Sequence, residues 1–112
     1  MQTVIETTPF LKAAAGVFTD AERAELVTYL AANPLVGEEI RGTGGVRKVR
    51  FATGSKGKSG GARVIYFVYG DDAPIILLTC YARSARANIS DAEVNAFAKL
   101  TAALKAHYRK RD

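Results

Sequence analysis

The sequence has no tryptophan, one cysteine, one histidine, one methionine and three prolines among its 112 residues. The single cysteine, Cys80, excludes an intrachain disulfide, and its place inside the apolar run 74–81 marks it as core filler. A lone histidine, His107, leaves no His/Cys set from which a structural zinc site could be built. No apolar run approaches the roughly 20 residues of a membrane span. The opening MQTVIETTPF also lacks the basic and long apolar segments of a secretory leader, so a cytoplasmic chain with no membrane partner is expected. The most informative absence is of acid: all eleven carboxylates lie outside the stretch from Arg41 to Arg63.

That stretch carries seven basic residues, Arg41, Arg47, Lys48, Arg50, Lys56, Lys58 and Arg63, within a chain of net charge +5. Concentrated positive charge of this kind attracts phosphate backbones, and RNA is the favoured polyanion. Elsewhere the composition is ordinary, with 48% hydrophobic and 24% charged residues. One domain over residues 1–112 follows from the length and from the lack of internal repeats. The basic tail around Lys105, Arg109, Lys110 and Arg111 reads as a solvated helix end.

Local patterns predict an α+β fold in the order β-α-α-β-β-β-α. A short strand over 2–6 precedes a helix capped by Thr8, with Pro9 at its first position, that runs to about Val17. Thr19 and Glu22 form a capping box ahead of AERAELVTYLAA, and Asn33-Pro34 ends that helix. Residues 34–45 show no clear periodicity and close on the turn GTGG. Strands are expected over 46–51, 63–69 and 75–81, joined by short connections into an antiparallel meander. Ser90 and Glu93 make another capping box, before a helix with the apolar stripe Val94, Phe97, Leu100, Leu104 and Tyr108.

The chemistry open to these residues is limited. GSKGKSGG does not have the Walker spacing and is not followed by a helix signal, which argues against nucleotide triphosphates. Without clustered carboxylates in the basic region, two-metal nuclease chemistry has no ligands there, and neither metal nor cofactor is expected. RNA can nevertheless be cut without metal. Its own 2′-hydroxyl attacks the adjacent phosphate when a protein supplies proton transfer and positive charge. Strand alternation puts Lys48 and Arg50 on one face and Arg47, Val49 and Phe51 on the other. Lys48 among other cations is a candidate base, its pKa lowered by like charge. Arg50, Arg63 and Arg83 are candidates for stabilising charge on phosphorus, and Tyr81 for stacking on a base or moving a proton.

GTGGVRKVRFA, the glycine- and lysine-rich loop, GGARVIYFVY and IILLTCYARSARANIS together resemble the RelE/HigB group of the RelE/ParE toxin superfamily, particularly its second HigB branch. The likeness spans nearly the whole chain. It implies a RelE-like fold and the toxin of a type II toxin–antitoxin system, an endoribonuclease that cuts translated mRNA in the ribosomal A site by metal-independent 2′-hydroxyl attack. It also implies as partners a cognate antitoxin, expected to be of helix-turn-helix type, the ribosome and its mRNA, and operator DNA reached through the toxin–antitoxin complex. The family's basic pair falls on Lys48 and Arg50, its next-strand arginine on Arg63, and its arginine after the last strand on Arg83. Lys56 and Lys58 match the branch's basic loop and, with Arg47 and Arg86, are expected to bind RNA or the ribosome. The family's base-stacking tyrosine has two candidates here, Tyr81 and Tyr108. Two other readings compete: a ParE-like inhibitor of DNA gyrase, and a non-catalytic RNA-binding module held by salt-sensitive phosphate contacts.

Overall fold

The computed structural model describes residues 2–53, 61–70 and 73–109. Its elements run β1 (Val4–Glu6), α1 (Thr8–Ala14), α2 (Asp20–Ala32), β2 (Glu38–Glu39), β3 (Val46–Phe51), β4 (Ala62–Val68), β5 (Ile75–Ala82) and α3 (Asp91–Arg109). The strands form one sheet in the order β1-β5-β4-β3-β2. β2 to β5 pair antiparallel with their neighbours in that order, and β1 lies parallel to β5. The α+β class and the expected meander are therefore present.

Helices cover both faces of the sheet, which explains why β4 and β5 read as continuous apolar runs. On one face Phe10 and Ala14 of α1 and Leu26 and Leu30 of α2 pack on Val49, Val64, Tyr66, Leu77 and Cys80. On the other, Phe97, Leu104 and Tyr108 of α3 pack on Val46, Ile65, Phe67, Ile76 and Leu78. Fully burying side chains such as Phe10, Leu26 or Ile65 contributes about 1.5–3 kcal/mol each.

Capping decides where the helices begin. Thr19 and Glu22 exchange the two bonds of a capping box, at 2.8 and 3.1 Å. Ser90 and Glu93 do the same at 2.7 and 3.1 Å. The first helix differs from expectation: Thr7, not Thr8, is its cap, because the Thr7 hydroxyl both accepts from Phe10 N–H and donates to Leu77 C=O at 2.7 Å. That second bond, to β5, is tertiary. The helix also ends at Ala14, short of Val17, where tight bonds to the carbonyls of Ala13 and Ala14 turn Val17 and Phe18 into the core.

Two further departures shape the site. β2 occupies part of the segment that showed no periodicity, and it is held by Tyr66, whose buried hydroxyl accepts from Gly37 N–H at 2.8 Å and donates to Pro34 C=O at 2.9 Å. Burial pushes the Tyr66 phenol pKa up. On α3 the buried position is Thr101, while Leu100 stays exposed. The Thr101 hydroxyl donates to Thr43 C=O at 2.6 Å, docking α3 on the GTGG turn. Gly44 in that turn has φ +78°, and a Cβ there would stand 2.5 Å from Thr101 Oγ1.

Candidate active site

A β-bulge sets the geometry of the site. Ile65 pairs with Thr79 but Tyr66 pairs with Leu77, so Leu78 is an extra residue in β5. Strict alternation from Ile76 would place Cys80 on the α3 face and Tyr81 opposite. The extra residue reverses that parity, so Cys80 enters the core beneath α1 and α2 while Tyr81 faces α3. Desolvation there pushes the Cys80 thiol pKa up to about 12, which leaves it inert.

With that parity, Arg50 stands opposite Arg63 and Arg63 opposite Tyr81, one row across β3, β4 and β5. Directly opposed side chains have Cβ atoms about 4.5–5.5 Å apart. Lys48, paired with Ile65, is one pleat along β3, roughly 7 Å from Arg50 on the same face. Arg83 follows β5 directly, and its N–H bonds Gly61 C=O at 3.1 Å, which puts it at the same end of the sheet as Arg50 and Arg63. Opposed arginines repel. The Nε atoms of Arg63 and Arg83 are also buried without a hydrogen-bond partner. Unsatisfied buried donors are rare and cost about 1–3 kcal/mol each, and here two stand at one sheet end.

The remaining expected site residues are placed differently from this row. Arg47 lies on the opposite face, where its guanidinium donates to Gly37 C=O at 2.5 Å and meets the Glu39 carboxylate at 3.3 Å, tying down the loop before β2. Arg86 sits 4.4 Å over the Tyr81 ring and pairs with Glu93 at 2.9 Å. One face of Tyr81 is thus covered, its hydroxyl is 3.5 Å from Ala87 C=O, and it is 8% exposed, so a base stacked on that face would have to displace Arg86. Tyr108, the other candidate, stacks on Tyr69 with ring centroids 6.0 Å apart and packs against the α3-side core. Lys56 and Lys58 lie outside the described residues.

Two features escaped the reading of the sequence. Glu38 stands 3.4 Å from Lys48 Nζ, so the ammonium is not surrounded by like charge alone. Its signal was the acidic pair Glu38-Glu39 directly before the acid-free stretch. The second is a concavity of about 180 Å³ beside Lys48, walled by Ile40, Ile65, Tyr81, Ile89 and Val94 and bordered by Asn88. No local signal marked it, because its walls come from four separate segments. Among the described residues no group of three or more His, Cys, Asp or Glu side chains is placed to hold a metal ion, and no helix is long and apolar enough to cross a membrane.

Comparison with known proteins bears on the family and the fold. The family model described as the RelE toxin of the RelE/RelB toxin–antitoxin system matches residues 39–111, more than half of the chain and all of β3 to α3. A solved structure of the E. coli toxin RelE in the free state, a variant with two arginines changed to alanine, superposes with a TM-score of 0.57. The match covers 89% of this chain and 96% of that one, at 16% sequence identity, and so shows a shared fold.

Proposed function

The chain belongs to the RelE toxin family, and from that premise we propose that it is a ribosome-dependent endoribonuclease, the toxin of a type II toxin–antitoxin pair that stops translation by cutting mRNA in the A site. The carrying observation is the row Arg50–Arg63–Tyr81 with Lys48 beside it and the unpartnered Nε donors of Arg63 and Arg83 at one sheet end. Transesterification by RNA's own 2′-hydroxyl needs these group types and no metal. The 2′-oxygen loses its proton and bonds to phosphorus, the 5′-oxygen leaves and gains a proton, and a cyclic phosphate remains.

In this reading Lys48 carries the proton transfer, and Arg50, Arg63 and Arg83 bear the charge that grows on the phosphoryl oxygens. Guanidinium forks suit that task because they offer several donors in fixed geometry and stay charged. Glu38 holds Lys48 toward β2 in the free protein, and an incoming phosphate competes with that carboxylate for the ammonium. Lys56, Lys58, Arg47 and Arg86 serve RNA or ribosome contacts. The blocks GTGGVRKVR and GGARVIY support a place in the second HigB branch. A cognate antitoxin of helix-turn-helix type completes the pair, with operator DNA bound by their complex and the cytoplasm as the place of action.

Induction of the chain alone is expected to arrest growth and to produce codon-phased cuts in translated messages, mapped from mRNA ends. Lys48→Ala or Arg63→Ala should restore growth with an unchanged circular dichroism spectrum, and chelators should leave cutting by the purified protein on ribosomes intact. Whole mRNA after growth arrest would refute the proposal, and arrested replication with intact message would point to gyrase instead.

A further inference from the structure

We infer that the concavity beside Lys48 is a nucleobase subsite in which Asn88 reads the edge of one unpaired RNA base, which makes Asn88 a specificity-determining residue. This rests on the RNA-cleavage reading and deepens it. The first support is shape and lining. At about 180 Å³ the space equals the liquid volume of roughly six waters, enough for a flat aromatic ring. Ile40, Ile65, Ile89 and Val94 offer it apolar walls, and Ile65 is fully buried. Apolar walls with few polar groups are the usual composition of a ligand site, whereas a phosphate would need donors on several sides.

The second support is position. Lys48 lines the concavity and also stands one pleat from the Arg50–Arg63 row, so a base seated there keeps its phosphate within reach of the guanidinium groups. Tyr81 joins the two in the same way, as a wall of the concavity and the end of the row. Single-stranded RNA is recognised by splaying out bases and hydrogen-bonding their exposed edges.

The third is Asn88 itself. Its carboxamide carries donor and acceptor side by side, the pairing that matches a base edge. Among the described residues it has no hydrogen-bond partner, although its segment is fixed on both sides. Arg86 is clamped between the Tyr81 ring and Glu93, and Glu93 caps the helix through Ser90. That exposed amide, set between the anchored residues Arg86 and Ser90, meets no protein group among the described residues that would compete with a base edge for its donor and acceptor.

The test has a binding arm and a cleavage arm. The methyl resonances of Ile40, Ile65, Ile89 and Val94 are followed while the protein is titrated with a 2′-deoxy-substituted RNA trinucleotide, which lacks the attacking hydroxyl, and with the same molecule missing its middle base. Shifts with the first and not the second are expected. On ribosomes, Asn88→Ala should lower the ratio of cuts between the most and least favoured bases roughly tenfold, and Asn88→Asp, which keeps the acceptor and loses the donor, should change the order of preference. Equal shifts with and without the base, no shifts with either, or an unchanged base ratio in both variants would each overturn the inference. Base-dependent shifts in a chain that cuts no RNA would instead sink the cleavage reading and leave the subsite standing.

Discussion

Arg63 and Glu93 illustrate opposite uses of charge. Arg63 is opposed by Arg50 across the ladder and has an Nε donor without a partner, an arrangement costly to the free protein and suited to an anion. Removing it should therefore abolish cutting while leaving stability unchanged or slightly raised, measured as the urea midpoint of Arg63→Ala. Glu93 is fully employed: its bonds to Arg86, first, and to the Ser90 backbone hold its carboxyl below the usual range. A lowered folded-state pKa means that its contribution is complete above the unfolded value and disappears as pH falls through the folded one. Between neutrality and about pH 3, the native protein should accordingly lose more thermal stability than Glu93→Gln does. A parallel loss in the two proteins would show that the charge on Glu93 contributes nothing. Cys80, with its thiol pushed up to about 12, should resist alkylation at neutral pH until the chain is unfolded.

Elements are positioned by a few polar ties that span long stretches of sequence. Tyr66 on β4 holds the 34–37 loop and thereby β2, which delivers Glu38 to Lys48. Tyr66→Phe strands a buried N–H and a carbonyl and should cost about 1–3 kcal/mol in equilibrium unfolding. If Glu38 reaches Lys48 only through that tie, the same variant should also change the pH dependence of cutting. Thr101 and Gly44 dock α3 in a similar way. Gly44→Ala combines a left-handed backbone with a 2.5 Å approach to Thr101 Oγ1, so a loss of about 1–3 kcal/mol is expected. Pairing it with Thr101→Val should give less than the sum of the two single losses, because both act on one contact. Strict additivity would mean that the turn and the helix are held independently.

For the whole molecule, the charge layout is the basis on which the proposed approach of RNA can be tested. The α3 face of the sheet gathers Lys48, Arg50 and Arg63, with Arg83 at its end, while Glu6 and Asp20 lie beside Arg23 on the part of the fold built from β1 and α2. Binding of single-stranded RNA should weaken linearly on a log–log plot against salt. Each arginine of the row replaced by alanine should reduce the slope by about 0.7 if it neutralises one phosphate. An unchanged slope for Arg50→Ala, Arg63→Ala and Arg83→Ala alike would place RNA elsewhere on the protein.

Most of this fold was legible locally. Capping boxes at Thr19 and Ser90, the alternation of Val46–Phe51 and the apolar runs of β4 and β5 depend on neighbours in sequence, and they appear where the patterns put them. The sequence by itself also determined which faces of β3 carry Lys48 and Arg50, since pleating is a property of the strand. Tertiary structure alone decided the rest. Thr7 became a cap through a bond to Leu77, Thr101 displaced Leu100 from the buried stripe by reaching Thr43, and Glu39 and Gly37 became the partners of Arg47 on the face that alternation had given it. Above all, one unpaired residue at Leu78 reversed the parity of β5, bringing Tyr81 beside Arg63 and hiding Cys80. A bulge reflects how two strands fit together under their helices, and its consequences for side-chain direction cannot be read from either strand alone.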